Sequence, residues 1–160
     1  MNTAIEIVTY RPELRAAFEA LNMTWLEAHS LLEPVDVEYL QNPETLILAN
    51  GGQLFFALRD GTAIGTAAAI RVSENTVELA KLAVSPLAQG QGIGRRLSET
   101  VIEFARAQGA TAVVLTSNTA LVQAIRLYES MGFEHQPMPE NVPYQTADVY
   151  MAFALHEQQR

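Results

Sequence analysis

The sequence predicts an α/β protein (α+β by some schemes), with a mixed sheet carrying helices on its faces. Three observations lead there. Alternating or β-branched stretches recur along the 160 residues. Two long apolar stripes at helical spacing interrupt them in the second half. Between those stripes lies a short, continuously apolar run of the kind found in parallel pairing.

The elements follow in order. Residues 4–9 alternate apolar and polar and read as a first strand. Pro12 sits where a first helical turn tolerates proline. Leu14, Phe18, Leu21 and Trp25 then recur at spacings of four and three, marking an amphipathic helix. Residues 36–41 predict a second, short helix before Asn42-Pro43. Gln53–Arg59 and residues 62–72, joined by Asp60-Gly61, read as a hairpin. Thr76–Val84 gives a fourth strand after the turn signal Glu74-Asn75. Residues 92–108 form a helix with Ile93, Leu97, Val101, Phe104 and Ala105 on one face, and Gly109 follows as a left-handed cap. Residues 111–116 are the short buried strand. Leu121, Ile125, Tyr128 and Met131 stripe a last helix that Gly132 stops, and residues 133–138 and 146–155 close the chain as strands.

Composition narrows the function. The length suits one domain over residues 1–160. Ten basic against 18 acidic residues give a net charge of −8, which argues against a nucleic-acid partner, whose affinity comes from Lys and Arg on phosphates. There is no cysteine, so disulfides, cysteine–zinc sites and thiol nucleophiles are excluded together. No run approaches the ~20 apolar residues that span a bilayer, and residues 1–10, carrying Glu6, do not read as a signal peptide. The expectation is a cytoplasmic protein without a membrane partner. His29, His135 and His156 are isolated and lack metal-ligand spacing, so no metal is expected.

The most informative stretch runs from the fourth strand through Ser85-Pro86-Leu87-Ala88-Gln89-Gly90-Gln91-Gly92-Ile93-Gly94-Arg95-Arg96. Three alternate glycines lead straight into an amphipathic helix. Glycine admits positive φ and leaves no Cβ between backbone and ligand. The first helical amides lack partners and carry the positive end of the dipole. Together they favour a phosphate or pyrophosphate, with Arg95 and Arg96 as cations at the same end. A P-loop would need Gly-Lys-Ser/Thr, which is missing. A dinucleotide fingerprint fails because its last glycine position is Arg95, and the next strand ends without an acid.

The remaining pattern, Gln89-x-x-Gly92-x-Gly94, resembles the coenzyme A signature of the GNAT superfamily of acyl-CoA-dependent N-acetyltransferases. Lys81-Leu82-Ala83-Val84 is similar to the end of that family's fourth strand, and Ala124 to Phe133 to its A-x-x-x-Y-x-x-x-G-F segment. The two motifs stand in register, and the element order matches over nearly the whole chain. One position departs: where much of the family has asparagine, this sequence has Leu121, and Asn118 is the nearest polar substitute.

The resemblance implies a single-domain, mostly antiparallel mixed sheet whose fourth and fifth strands start parallel and splay apart. Acetyl-CoA is the implied co-substrate. Its pantetheine arm would lie along Leu82, Ala83 and Val84, and its pyrophosphate on the amides of Gln89, Gly90, Gln91, Gly92, Ile93, Gly94 and Arg95. Tyr128 would be the general acid that protonates the departing thiolate. The base would be Glu78, Glu33 or water. Glu33 and Tyr144 are expected against the acceptor, with Gln145 and Asp148 further contacts. Between Arg15 and Arg59 the chain has six acids and no Lys or Arg, which favours a cationic amine from a small molecule, peptide or protein. A non-catalytic acyl-CoA sensor of the same fold is the alternative, and the family leaves room for a homodimer.

Overall fold

The computed structural model describes residues 4–155. β1 (Ile5–Thr9) leads through a 3-10 turn, Pro12–Leu14, into α1 (Arg15–Ala28). α2 (Pro34–Gln41) and α3 (Pro43–Leu46) follow, then β2 (Gln53–Arg59), β3 (Thr62–Arg71) and β4 (Thr76–Val84). The second half runs α4 (Ile93–Ala107), β5 (Ala112–Ser117), α5 (Val122–Met131), β6 (Glu134–Gln136) and β7 (Val149–Ala154). Among the described residues the strands form one sheet of order β1-β2-β3-β4-β5-β7-β6.

The sheet separates two cores, and period-two alternation feeds both. On β2, Leu54, Phe56 and Leu58 pack with Phe18 and Leu40 under α1 and α2, while Phe55 and Ala57 join Leu97, Val101 and Met151 under α4. Each fully buried large apolar side chain contributes about 1.5–3 kcal/mol, so the sheet is anchored from both faces. Asp60 and Gly61 both have positive φ, 52° and 76°. This is the two-residue turn whose twist matches a hairpin.

Two irregularities of β4 build the site. Its parallel ladder with β5 holds three pairs, Thr76↔Ala112 to Glu78↔Val114. Beyond Glu78 the strands part, while β5 keeps its antiparallel ladder to β7 along its whole length, Ala112↔Ala154 to Ser117↔Val149. The second irregularity is at Lys81, whose φ is +54°. Thr66 faces Ala83 but Ala68 faces Ala80, so Lys81 and Leu82 together oppose Ala67. Such a bulge reverses the facing of the strand. Val77 and Leu79 pack on the α4 core before it, and Leu82 and Val84 do so after it. Lys81 is thereby turned to the α2 side, where it meets Asp36.

Some boundaries moved. The third strand ends at Arg71, and the strand expected at residues 133–138 is only Glu134–Gln136. The last strand begins at Val149 and not at residue 146, because Thr146 and Asp148 are tied to neighbouring loops. α3 was not anticipated. His156 lies outside the described residues.

Candidate active site

Where β4 and β5 part, a cavity of about 760 Å³ opens between the glycine turn, α5, α1 and the residues before β7. The six residues after Glu78 on β4 extend about 20 Å at strand rise. Their β5-facing edge carries no ladder, so main-chain groups there are free to pair with an extended ligand.

The glycine turn closes one end. Gly90 and Gly92 have φ of 80° and 77°, and a Cβ at either would meet nothing within 4 Å. The glycines are demanded by backbone conformation and open approach, not by crowding. The first helical bond of α4 runs from the Arg96 amide to the Gly92 carbonyl, leaving the amides of Ile93, Gly94 and Arg95 ahead of the helix's own ladder. Gly90, Gly92, Ile93, Gly94 and Arg95 all line the cavity. The Gln89 side chain donates from Nε2 to the Val84 carbonyl at 3.4 Å. Arg95 stays at this mouth and bonds the Ser130 hydroxyl. Arg96, expected beside it, instead donates to the Ile5 carbonyl at 3.1 Å.

Tyr128 and Glu78 also line the cavity. Tyr128 is buried on α5, its ring edge-on to Phe133 at 5.7 Å. Burial raises its phenol above the ordinary value, keeping it protonated at neutral pH. Burial also pushes the Glu78 carboxyl up to about 7, against the lowering pull of the Lys81 cation. A carboxyl there gains and loses its proton in the neutral range, as a base requires.

Beyond them lies a polar cluster. Lys81 Nζ donates to Asp36 Oδ1 at 2.5 Å and to the Tyr144 hydroxyl at 2.9 Å. The rings of Tyr39 and Tyr144 stand 5.4 and 4.9 Å from the ammonium. Asp36 Oδ2 accepts from the Glu33 amide at 2.8 Å, capping α2. Glu33 turns its carboxylate outward to the amides of Gln145 and Thr146 and the Thr146 hydroxyl, at 2.9, 3.0 and 2.5 Å. Burial raises the Glu33 carboxyl, but these hydrogen bonds outweigh it and hold the group below its ordinary range. On the opposite lip, Asn118 Nδ2 donates to the Thr146 carbonyl at 2.6 Å, and the amide and hydroxyl of Thr119 bond Asp148.

The structure therefore brings together Glu78, Leu82, Val84, Gln89, Gly90, Gly92, Ile93, Gly94, Arg95, Asn118, Tyr128 and Tyr144 around one cavity. Ala83 is buried on the opposite side of its strand from Leu82 and Val84, so only its backbone is available to a ligand. Gln91 is exposed and accepts from Arg59. Glu33, Gln145 and Asp148, expected against the acceptor, do not line the cavity; the Glu33 carboxylate is engaged by residues 145 and 146. Asn118 lines the lip with its amide committed to Thr146. The sequence reading counted Asp36 only among the six acids before Arg59, and did not place Lys81, Asn22 and Trp25 of α1, or His29 just past its end, at the site; all of them line the cavity. One signal was present: Lys81 is the chain's only lysine, set inside an apolar strand.

A profile of the Acetyltransferase (GNAT) family matches residues 14–133. The N-acetylaspartate synthetase of Rattus norvegicus is 34% identical over 116 residues, covering 71% of this chain and 36% of that protein. The chain thus spans about a third of the length of that relative. A GNAT-family acetyltransferase from Staphylococcus aureus Mu50 superposes with a TM-score of 0.85 at 22% identity, over 96% of this chain and 100% of the other. A protein from Salmonella typhimurium, solved with its cofactor acetyl-CoA, gives 0.72 at 22% identity, over 99% and 98%. No described helix is long and apolar enough to cross a membrane.

Proposed function

This chain belongs to the acetyltransferase (GNAT) family, and we propose that it moves an acetyl group from acetyl-CoA to a primary amine by direct transfer. The observation that carries the reading is the unladdered edge of β4, running from the glycine turn at Gly92 toward Tyr128 and Glu78. That slot fits the co-substrate. The amides of Ile93 to Arg95 suit its pyrophosphate, Leu82 and Val84 its amide-bearing arm, and Arg95 adds charge.

Acetyl-CoA supplies an activated acyl carbon. The chain's residues orient the amine, take its proton and return one to sulfur. The ammonium first gives one proton to Glu78, directly or through water; as the N–C bond forms and the C–S bond breaks, the nitrogen sheds its second proton, which through water restores the one Tyr128 spends. Tyr128 donates its phenolic proton to the leaving thiolate. Asp36 and Glu33 outnumber Lys81 at the acceptor end, so the local field favours an amine arriving as a cation. The named activity of the synthetase relatives makes L-aspartate one acceptor to try, with putrescine and phenethylamine as carboxylate-free alternatives.

The test follows CoA thiol release with acetyl-CoA and these three amines, beside glycine and a short peptide. Release dependent on one amine supports the reading. Tight acetyl-CoA binding with no amine-dependent release would replace it with a sensor.

A further inference from the structure

The chain's single lysine is held out of solvent at the acceptor end of the cavity. Its side chain is 5% exposed and that of its partner Asp36 is 4%. Around the pair the hydrogen bonds close a ring. The Glu33 amide donates to Asp36, and Lys81 donates to Asp36 and to the Tyr144 hydroxyl. The next residue, Gln145, returns its amide to the Glu33 carboxylate. The start of α2, the bulge of β4 and residues 144–146 are thus one circuit. No sheet ladder holds residues 144–148. On one side they hang from this ring, on the other from Asn118, Thr119 and the bond of the Asp148 amide to the Ser117 carbonyl.

Backbone strain points to the same residue. A bend with φ of +54° is met with least strain by glycine, yet the chain places lysine there. The bend itself does not call for an ammonium; the circuit does. The bulge also turns Lys81 onto the face that looks at α2 and Tyr144, where regular alternation would have sent it into the α4 core. A closed network of this kind is cooperative, and loss of one member leaves a buried charge without its partner.

We infer that Lys81 is a positioning residue for the acceptor: with Asp36 and Glu33 it fixes the Tyr144 ring as the wall of the acceptor end of the cavity. Lys81 does not touch the reacting atoms: it sets the acceptor wall through Tyr144, apart from its pull on the Glu78 carboxyl. The inference rests on the acetyl-transfer reading above and adds to it the device that sets acceptor affinity.

Because residue 81 is the only lysine, its modification by trinitrobenzenesulfonate, read by peptide mass spectrometry, reports on the ring without any turnover. Tyr144→Phe keeps the aromatic wall and removes the hydroxyl; Glu33→Gln weakens the return contact. Both should raise the labelling rate about tenfold or more as local opening becomes easier. Both should also raise KM for the fastest amine of the panel about fivefold or more, with KM for acetyl-CoA changed less than about twofold. Lys81→Met should show the same split, and adding Tyr144→Phe to it should change little further, since both break one ring. Unchanged labelling in both variants overturns the ring. Faster labelling with unchanged amine KM, or an equal rise in both KM values, overturns the positioning role. If the parent enzyme acetylates no amine, the acetyl-transfer reading fails and takes the inference with it. A parent that turns over, with variants indifferent in KM, sinks the inference alone.

Discussion

Glu78→Gln gives the sharpest test of the proposed chemistry. Burial disfavours the charged carboxylate, the Lys81 cation favours it, and the balance stands at about 7. Such a group is about one-tenth ionised at pH 6 and about nine-tenths at pH 8. An alkylammonium near pKa 10.4 is only about one part in 2,500 neutral at pH 7. With Glu78 as base the amine can bind charged and be deprotonated in place. The parent kcat/KM should then climb about tenfold between pH 6 and 8 and level off. The glutamine variant has to take its amine already neutral. Its kcat/KM should keep climbing about tenfold per pH unit toward the amine's own pKa, and lie about 10²–10³ below the parent at pH 7. The assay is thiol release at saturating acetyl-CoA across that range, with both enzymes on one amine. Superimposable pH profiles would refute the assignment and leave water as the base. The same group makes a signed contribution to stability. Its native pKa is raised, so the folded protein binds this proton more tightly than the unfolded chain. That contribution is present in acid and is lost as pH rises through about 7.

Three further outcomes follow from the geometry. Tyr128→Phe should lower kcat by about 10²-fold or more, with acetyl-CoA affinity by calorimetry nearly unchanged, because only the proton donor is removed. Gly92→Val puts a branched residue at φ of 77° on the anion-binding turn and should weaken CoA binding by about tenfold or more, read by the same calorimetry. Leu97→Ala empties a fully buried site between α4 and the sheet and should cost about 2–5 kcal/mol in denaturant unfolding.

Much of the fold was legible because its signals are local. The Asp60-Gly61 hairpin, the helix stops at Gly109 and Gly132 and the strand Thr76–Val84 all depend on neighbours in sequence. The glycine turn was readable for the same reason, and the cavity assembles around it. The acceptor end was not. Periodicity treats Lys81 as one more strand residue, and nothing local announces that a bulge turns it toward Asp36, 45 positions away. Glu33 likewise read as a free carboxylate. Its partners lie 112 and 113 residues along the chain, just before and at the start of the stretch read as the last strand. Contacts made by loops across such distances follow from tertiary packing, which a pattern of residue types does not encode.

The short ladder between β4 and β5 has a mechanical consequence. Along the backbone the molecule is two half-sheets, β1–β4 and β5–β7, stitched by three pairs. A nucleotide thioester lying in the gap would bridge both banks and serve as the missing rung, so occupancy and rigidity are coupled. At a hundredfold excess over Kd, ligand linkage alone stabilises a fold by about 2.7 kcal/mol. In native-state hydrogen exchange that added protection should concentrate along this seam.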